Sequence, residues 1–158
     1  MSRFTIPTLR TARITLRAFR ASDLPAYASM LADPAVARCL FTGQPRSAAE
    51  SWEAMARALG QWALRGYGLF ALEHQGGCVG HAGILHPPSW PHPELAFAVA
   101  PAAQGSGLAT EAASEARAWA GAALGMRDLV SFIRPSLRAT AIEAALLGRM
   151  KLTRSRMP

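Results

Sequence analysis

Hydrophobic and polar positions change period several times along the chain, and each change marks an element. From Arg13 to Phe19, Ile14, Leu16 and Ala18 alternate with Arg13, Thr15 and Arg17, which predicts a first strand with one exposed face. Ser22 or Asp23 can cap a following helix with Pro25 in its first turn. Leu24, Tyr27, Ala28 and Leu31 form its apolar stripe, and Asp33-Pro34 ends it. The segment from Asp33 to Pro45 carries no period and is expected to be irregular. Ser47 opens a second helix in which Ala48, Trp52, Met55, Leu59 and Trp62 recur at helical spacing, so both tryptophans are expected in the core. Gly66 and Gly68 close it.

Strand patterns return at Leu69–His74 and Cys78–His86, joined by the hairpin turn Gln75-Gly76-Gly77. Residues 87–93 hold too much proline for regular structure and predict a stiff loop. The stretch that follows, Glu94 to Gly125, organises the rest. Leu95, Phe97 and Val99 alternate with Glu94, Ala96 and Ala98 as in a strand, and Pro101 ends it. After Gln104-Gly105-Ser106-Gly107 the period becomes helical, with Leu108, Ala112, Ala116, Trp119 and Ala123 on one face and Gly125 as C-cap. Leu129–Ile133 reads as a further strand and Leu137–Leu147 as a short Ala-rich helix. The order β-α-α-β-β-β-α-β-α, without internal repeat, predicts one α/β domain.

A strand running through a Gly-containing turn into a helix points several backbone N–H groups at one place, where the helix dipole adds positive charge. The turn is therefore a candidate diphosphate cradle. It is not a P-loop, because no Gly-Lys-Ser/Thr follows, and Thr110 stands where a dinucleotide fingerprint needs its last glycine or alanine. On Gly-x-Gly alone an ordinary strand-to-helix turn stays open.

More of the stretch matches a known pattern. Gln104-x-x-Gly107-x-Ala109 fits the Gln/Arg-x-x-Gly-x-Gly/Ala signature of the GNAT superfamily of N-acetyltransferases. The run Gln104–Ala112, the segment Leu9–Phe19, Ser22-Asp23-Leu24 and Phe132-Ile133-Arg134-Pro135-Ser136 resemble its RimJ/RimL-like branch, which acetylates ribosomal-protein N-termini. The resemblance runs from residue 8 to about 148 and implies a single domain over 8–158. It implies a GNAT fold of α/β (α+β) class: a mixed, mostly antiparallel, twisted sheet flanked by helices, its C-terminal strands shortened because the tail Arg149–Pro158 is brief. It further implies acetyl-CoA as co-substrate and a primary amine, peptide or small molecule, as acceptor. The strands before and after the cradle helix should splay so that pantetheine enters between them. Ala96, Ala98 and Ala100 would leave room for it, and the Val99 N–H would face the thioester oxygen. The N–H groups of Gln104, Gly105, Ser106, Gly107, Leu108 and Ala109 would hold the diphosphate, with Thr110 next in the site. Glu94 is the implied base and Ser136 a further catalytic position; Glu111 is assigned to the helix dipole or to packing. Leu137 stands where the family usually has asparagine, so a weak acyl-CoA-binding module of the same fold is the alternative function.

Composition narrows the partners. The net charge of +7 comes almost wholly from arginines that are scattered rather than clustered with aromatics, which argues against a nucleic-acid face and suits an anionic co-substrate. No apolar run is long enough for a membrane span, and no signal-peptide pattern opens the chain, so a cytoplasmic protein is expected. Cys39 and Cys78 are then expected as thiols, and His81, His86 and His92 have no metal-ligand spacing, so no metal is expected. If the short tail leaves a sheet edge bare, a homodimer would cover it.

Overall fold

The computed structural model describes residues 4–40, 42–132 and 151–153. Its centre is a seven-stranded sheet in sequence order: β1 (Leu9–Arg10), β2 (Thr15–Arg17), β3 (Leu69–His74), β4 (Gly77–Leu85), β5 (Glu94–Val99), β6 (Val130–Phe132) and β7 (Lys151–Thr153). Neighbours from β1 to β5 are antiparallel, and β6 pairs in parallel with both β5 and β7. The sheet is thus mixed and mostly antiparallel, as expected. The tail, expected to be too short for strands, supplies three residues of β7. The strand expected to reach Ile133 is observed as Val130–Phe132, and the helix expected over Leu137–Leu147 lies outside the described residues.

Among the described residues four helices flank the sheet: α1 (Leu24–Ala32), α2 (Pro34–Ala37), α3 (Ala48–Arg65) and α4 (Leu108–Leu124). One core cluster sits under α4 and holds Leu16, Phe70, Ile84, Leu95 and the α4 alanines. A second lies under α1 and holds Tyr27, Met30, Leu31, Met55 and Ala71. Helix α3 joins them, starting beside α1 and ending with Trp62 in the first cluster. There Trp62 meets Phe70 and Trp119 with ring centroids 4.9 and 5.4 Å away, and its indole N–H donates to the Leu69 carbonyl. Such tilted and edge-on contacts suit the ring quadrupole.

Several expectations are corrected. The strand expected over Arg13–Phe19 is observed as β2, with the two-residue β1 ahead of it, and Arg17, placed on an exposed face by alternation, is only 5% exposed. It forms a bidentate pair with Asp23 (2.8 Å for each bond) and a 2.7 Å bond to Glu73. A buried guanidinium is tolerable only when paired in this way. Asp23 consequently does not cap α1 with its side chain. On α1, Tyr27 and Leu31 are buried as expected and Leu24 and Ala28 are half-buried, while Met30, absent from the expected stripe, is buried with them. Asp33 does cap: its Oδ1 accepts from the N–H groups of Ala35 and Val36 and turns part of the expected irregular stretch into α2.

Ser47 begins α3 as expected, through a reciprocal capping box with Glu50. The buried side of α3 is Ser51, Met55, Ala58 and Trp62, however, and Trp52 is 59% exposed. Ser51 can be buried because its hydroxyl donates to the Ser47 carbonyl at 2.9 Å. The β3–β4 hairpin turns at Gln75 and Gly76, with φ of 50° and 79°, the signs a two-residue hairpin loop requires. On α4 the buried face is Leu108, Ala109, Ala112, Ala113, Ala116 and Ala120, while Ala123 is exposed.

Candidate functional site

The site grows from the end of β5. Pro101 cannot extend the ladder, and residues Pro101–Ala103 form a 3-10 turn in which the N–H of Gln104 donates to the Pro101 carbonyl at 3.1 Å. Gly105 and Gly107 follow with φ of 80° and 81°. A Cβ on Gly105 would meet nothing within 4 Å, so these positions need glycine for their backbone angle rather than for space. Gly107 is the N-cap of α4 and offers no side-chain cap. The first intrahelical bond runs from the Glu111 N–H to the Gly107 carbonyl. From Gly105 through Thr110, no backbone N–H has an acceptor among the described residues. Helix starts normally leave orphan donors, and a cap usually takes one of them. Here none of the six is taken up by such a cap, and they lie at the positive end of the α4 dipole. The sequence had assigned the Gln104 N–H to this set; that group is already bonded within the protein, and the open set is shifted by one residue.

Beside the turn the sheet opens. Strand β5 is paired along its whole length with β4, from Leu85↔Glu94 to Gly80↔Val99. Close approach there is permitted by Gly80, whose added Cβ would lie 2.1 Å from the Ala98 carbonyl oxygen. On the other edge β5 pairs with β6 only at Glu94↔Val130. The Val130 N–H donates to the Pro93 carbonyl and the Ser131 hydroxyl to that of Leu95, and no further pairing between the two strands is found among the described residues. Antiparallel geometry turns alternate residues to opposite edges. Because Ala100 donates back to Val79 on β4, Phe97 and Val99 present their backbone to the open side. The Val99 carbonyl is held by Gln104 Nε2 at 3.2 Å. The Val99 N–H and the backbone of Phe97 have no ladder partner among the described residues.

The side chains of Ala96, Ala98 and Ala100 are partly buried on the α1 face of this strand, and Leu95 and Val99 pack under α4. Glu94, the implied base, is only 6% exposed and lies where β5 pairs with β6. Five residues of extended strand put it about 16 Å from Val99. The Val99 N–H thus lies at the end of β5 that leads into the open amides, and Glu94 at the opposite end of the strand. Ser136 lies outside the described residues.

A feature missed in the sequence braces the turn from outside. Thr11 and Arg13, between β1 and β2, reach across to Glu111: the Thr11 hydroxyl donates to Oε1 at 2.5 Å, and Arg13 donates from its backbone N–H to Oε1 at 3.0 Å and from Nε to Oε2 at 2.7 Å. The same guanidinium donates from Nη1 to the Ser106 carbonyl at 2.7 Å. These bonds, led by that from Thr11, hold the Glu111 carboxyl below its ordinary range despite some desolvation. Glu111 therefore packs structurally, as one of the two expected roles had it. The signal available in the sequence was Thr-x-Arg between β1 and β2, which says nothing by itself about a carboxylate 98 residues later.

Among the described residues no group of three His, Cys, Asp or Glu side chains could hold a metal ion, and no helix is long and apolar enough to cross a membrane. Similarity to known proteins points the same way as the geometry. The sequence profile of the acetyltransferase (GNAT) domain matches residues 13–141. An acetyltransferase from Agrobacterium tumefaciens str. C58 is 35% identical, with a TM-score of 0.80 over 94% of this chain and 86% of that one. A protein from Bordetella pertussis described as a GNAT-family acetyltransferase is 26% identical, with a TM-score of 0.63 over 77% and 75% of the two chains. RimL, a ribosomal L7/L12 alpha-N-protein acetyltransferase solved in complex with coenzyme A, shares the fold at 16% identity and a TM-score of 0.63, over 77% of this chain and 71% of its own. Open amides at the head of α4, a profile match over most of the length and 35% identity to a solved acetyltransferase place this chain in the GNAT acetyltransferase family.

Proposed function

We propose that residues 8–158 form one acetyl-CoA-dependent N-acetyltransferase domain of the RimJ/RimL-like kind, acting on a primary amine. The observation that carries this is the unbroken run of unbonded N–H groups from Gly105 to Thr110, which fits a diphosphate in number of donors and in sign of field. Acetyl-CoA would supply an acetyl group already activated as a thioester. In this reading Gly105, Ser106, Gly107, Leu108, Ala109 and Thr110 hold its diphosphate, and Gln104 keeps the end of β5 in place through Val99. The open edge of β5 at Phe97 and Val99 receives the amide-bearing arm as a pseudo-strand, which satisfies backbone groups that otherwise rely on water. The small side chains of Ala98 and Ala100 leave that edge accessible.

The Val99 N–H donates to the thioester oxygen and, more strongly, to the oxyanion that develops when the amine adds. An amine attacks only when neutral, and a protein α-amine titrates near pH 8 against about 10.4 for lysine. Glu94 takes the proton through water, since its carboxylate is too far along the strand to reach Val99 directly. Similarity to RimL at 16% identity supports the fold of this reading, and the motif Gln104–Ala112 supports the branch.

The test is release of free coenzyme A from acetyl-CoA against a panel of peptides with a free N-terminus, polyamines, aminoglycosides and amino acids. Turnover of at least one amine is expected, with kcat/KM rising toward the pKa of that amine. An enzyme that binds no coenzyme A by calorimetry would overturn the reading. Tight coenzyme A binding with no turnover of any amine would favour the binding-module alternative.

A further inference from the structure

The turn Gly105–Gly107 has positive φ at two residues and no side-chain cap, so something else must fix its peptide planes. Arg13 is placed to do so. Its Nη1 holds the Ser106 carbonyl at 2.7 Å, and its Nη2 lies 3.5 Å from where a Cβ of Gly107 would stand. A trans peptide is planar, with C=O and N–H pointing opposite ways. Pinning the Ser106 oxygen to Arg13 therefore aims the Gly107 N–H away from Arg13, toward the open side of the turn. Glu111 cannot do this alone, because a carboxylate only accepts. It positions Arg13 through Nε and Nη2, both at 2.7 Å, while Thr11 holds its other oxygen.

We propose that Arg13 is a positioning residue for diphosphate binding: clamped by Glu111 and Thr11, it sets the orientation of the Ser106–Gly107 peptide from outside the turn. The inference rests on the diphosphate reading of the turn given above and deepens it. The role is geometric. Arg13 and Glu111 cancel in charge, so the pair adds little net field, and lysine at position 13 would keep the charge yet could not donate to Glu111 and to the Ser106 carbonyl together.

Calorimetric titration with coenzyme A and with dephospho-coenzyme A, which keeps the diphosphate, is paired with NMR titration of pantetheine, which lacks it. Wild type, Arg13→Ala, Arg13→Lys and Thr11→Val are compared, each checked for an unfolding midpoint. Both Arg13 variants are expected to lose about tenfold or more in affinity for the two diphosphate ligands, Thr11→Val to lose less, and all to keep pantetheine binding within about twofold of wild type. A merely structural role would weaken all three ligands together. Full coenzyme A affinity in Arg13→Ala, or equal loss toward pantetheine, overturns the positioning role while leaving the diphosphate reading in place. A wild type that binds coenzyme A no better than pantetheine overturns the diphosphate reading, and this inference with it. Arg13→Lys keeps the test open should the alanine variant fold poorly.

Discussion

Replacing Gly107 with valine separates the shape of the turn from the stability of the protein. Gly107 has φ of 81°, is exposed, and a Cβ there would come no nearer than 3.5 Å to Arg13 Nη2. The new side chain therefore meets no steric wall, and its whole effect runs through the backbone. Holding a β-branched residue at positive φ costs about 1–3 kcal/mol. For a chain of this size that lowers the unfolding midpoint by roughly 2–12 °C. The backbone can relieve the strain only by rotating φ to negative values, which turns the peptides on either side and takes the N–H groups of Gly107 and Leu108 out of convergence. Losing two charge-assisted bonds at about 1.5–3 kcal/mol each weakens coenzyme A binding by at least two orders of magnitude. Gly76 supplies the control, since it has φ of 79°, also has nothing within 4 Å of its Cβ position, and lies in the β3–β4 turn. Gly76→Val is expected to cost the same stability and leave affinity untouched. Equal coenzyme A affinity for Gly107→Val and Gly76→Val, read by calorimetry, would refute the reasoning.

Other sites give sharper tests of stability. Removing one partner of the buried Arg17–Asp23 pair, as in Arg17→Met, is expected to destabilise by about 3–5 kcal/mol in denaturant titration, because the buried Asp23 carboxylate loses its guanidinium. Burial tends to raise the Asp23 carboxyl, but the bonds from the Arg17 guanidinium and the Arg20 N–H outweigh it and hold it below its usual value of 3.8. Its stabilisation is therefore complete above that value and is lost as the pH falls further, an acid limb that Asp23→Asn should abolish. Burial, helped by the nearby positive charge of Arg46, pushes His81 down to about 4 from 6.5 while its Nδ1 bonds the Tyr27 hydroxyl at 2.9 Å. A folded-state value below the unfolded one means stability is fully present above about 6.5 and lost as pH falls toward 4, so His81→Gln should flatten the pH dependence of the unfolding midpoint in that window. Trp62→Ala is expected to cost about 3–5 kcal/mol, against less than about 0.5 kcal/mol for exposed Trp52→Ser; equal effects would contradict the placement of α3.

The sequence was most readable where the cause of structure is local. The hairpin at Gln75-Gly76, the helix start at Ser47 and the change from strand to helix around Gly107 each depend on a few adjacent residues, and each is found where it was read. The phase of α3 was misread because a polar residue, Ser51, fills a core position by bonding its own helix, and the apolar Trp52 next to it drew the stripe one place over. Arg17 was misread because alternation says which way a side chain points and nothing about what waits there. The same limit hid the Arg13–Glu111 clamp, whose partners are brought together only when β2 and α4 dock on one sheet. The open amides were anticipated from the motif, and only the 3-10 turn after Pro101 showed that Gln104 does not belong to them.

The alanines that α4 turns toward the sheet carry a consequence for engineering. Ala112, Ala113, Ala116 and Ala120 are completely buried, so the rod they form lies close on its support and has no slack. Enlarging any of them, say Ala116 to valine, would lift the rod and tilt its leading end, and the open donors at Gly105–Thr110 would travel with it. Variants selected for altered turnover would then be found along this hidden seam, several turns from any ligand, as often as in the turn itself.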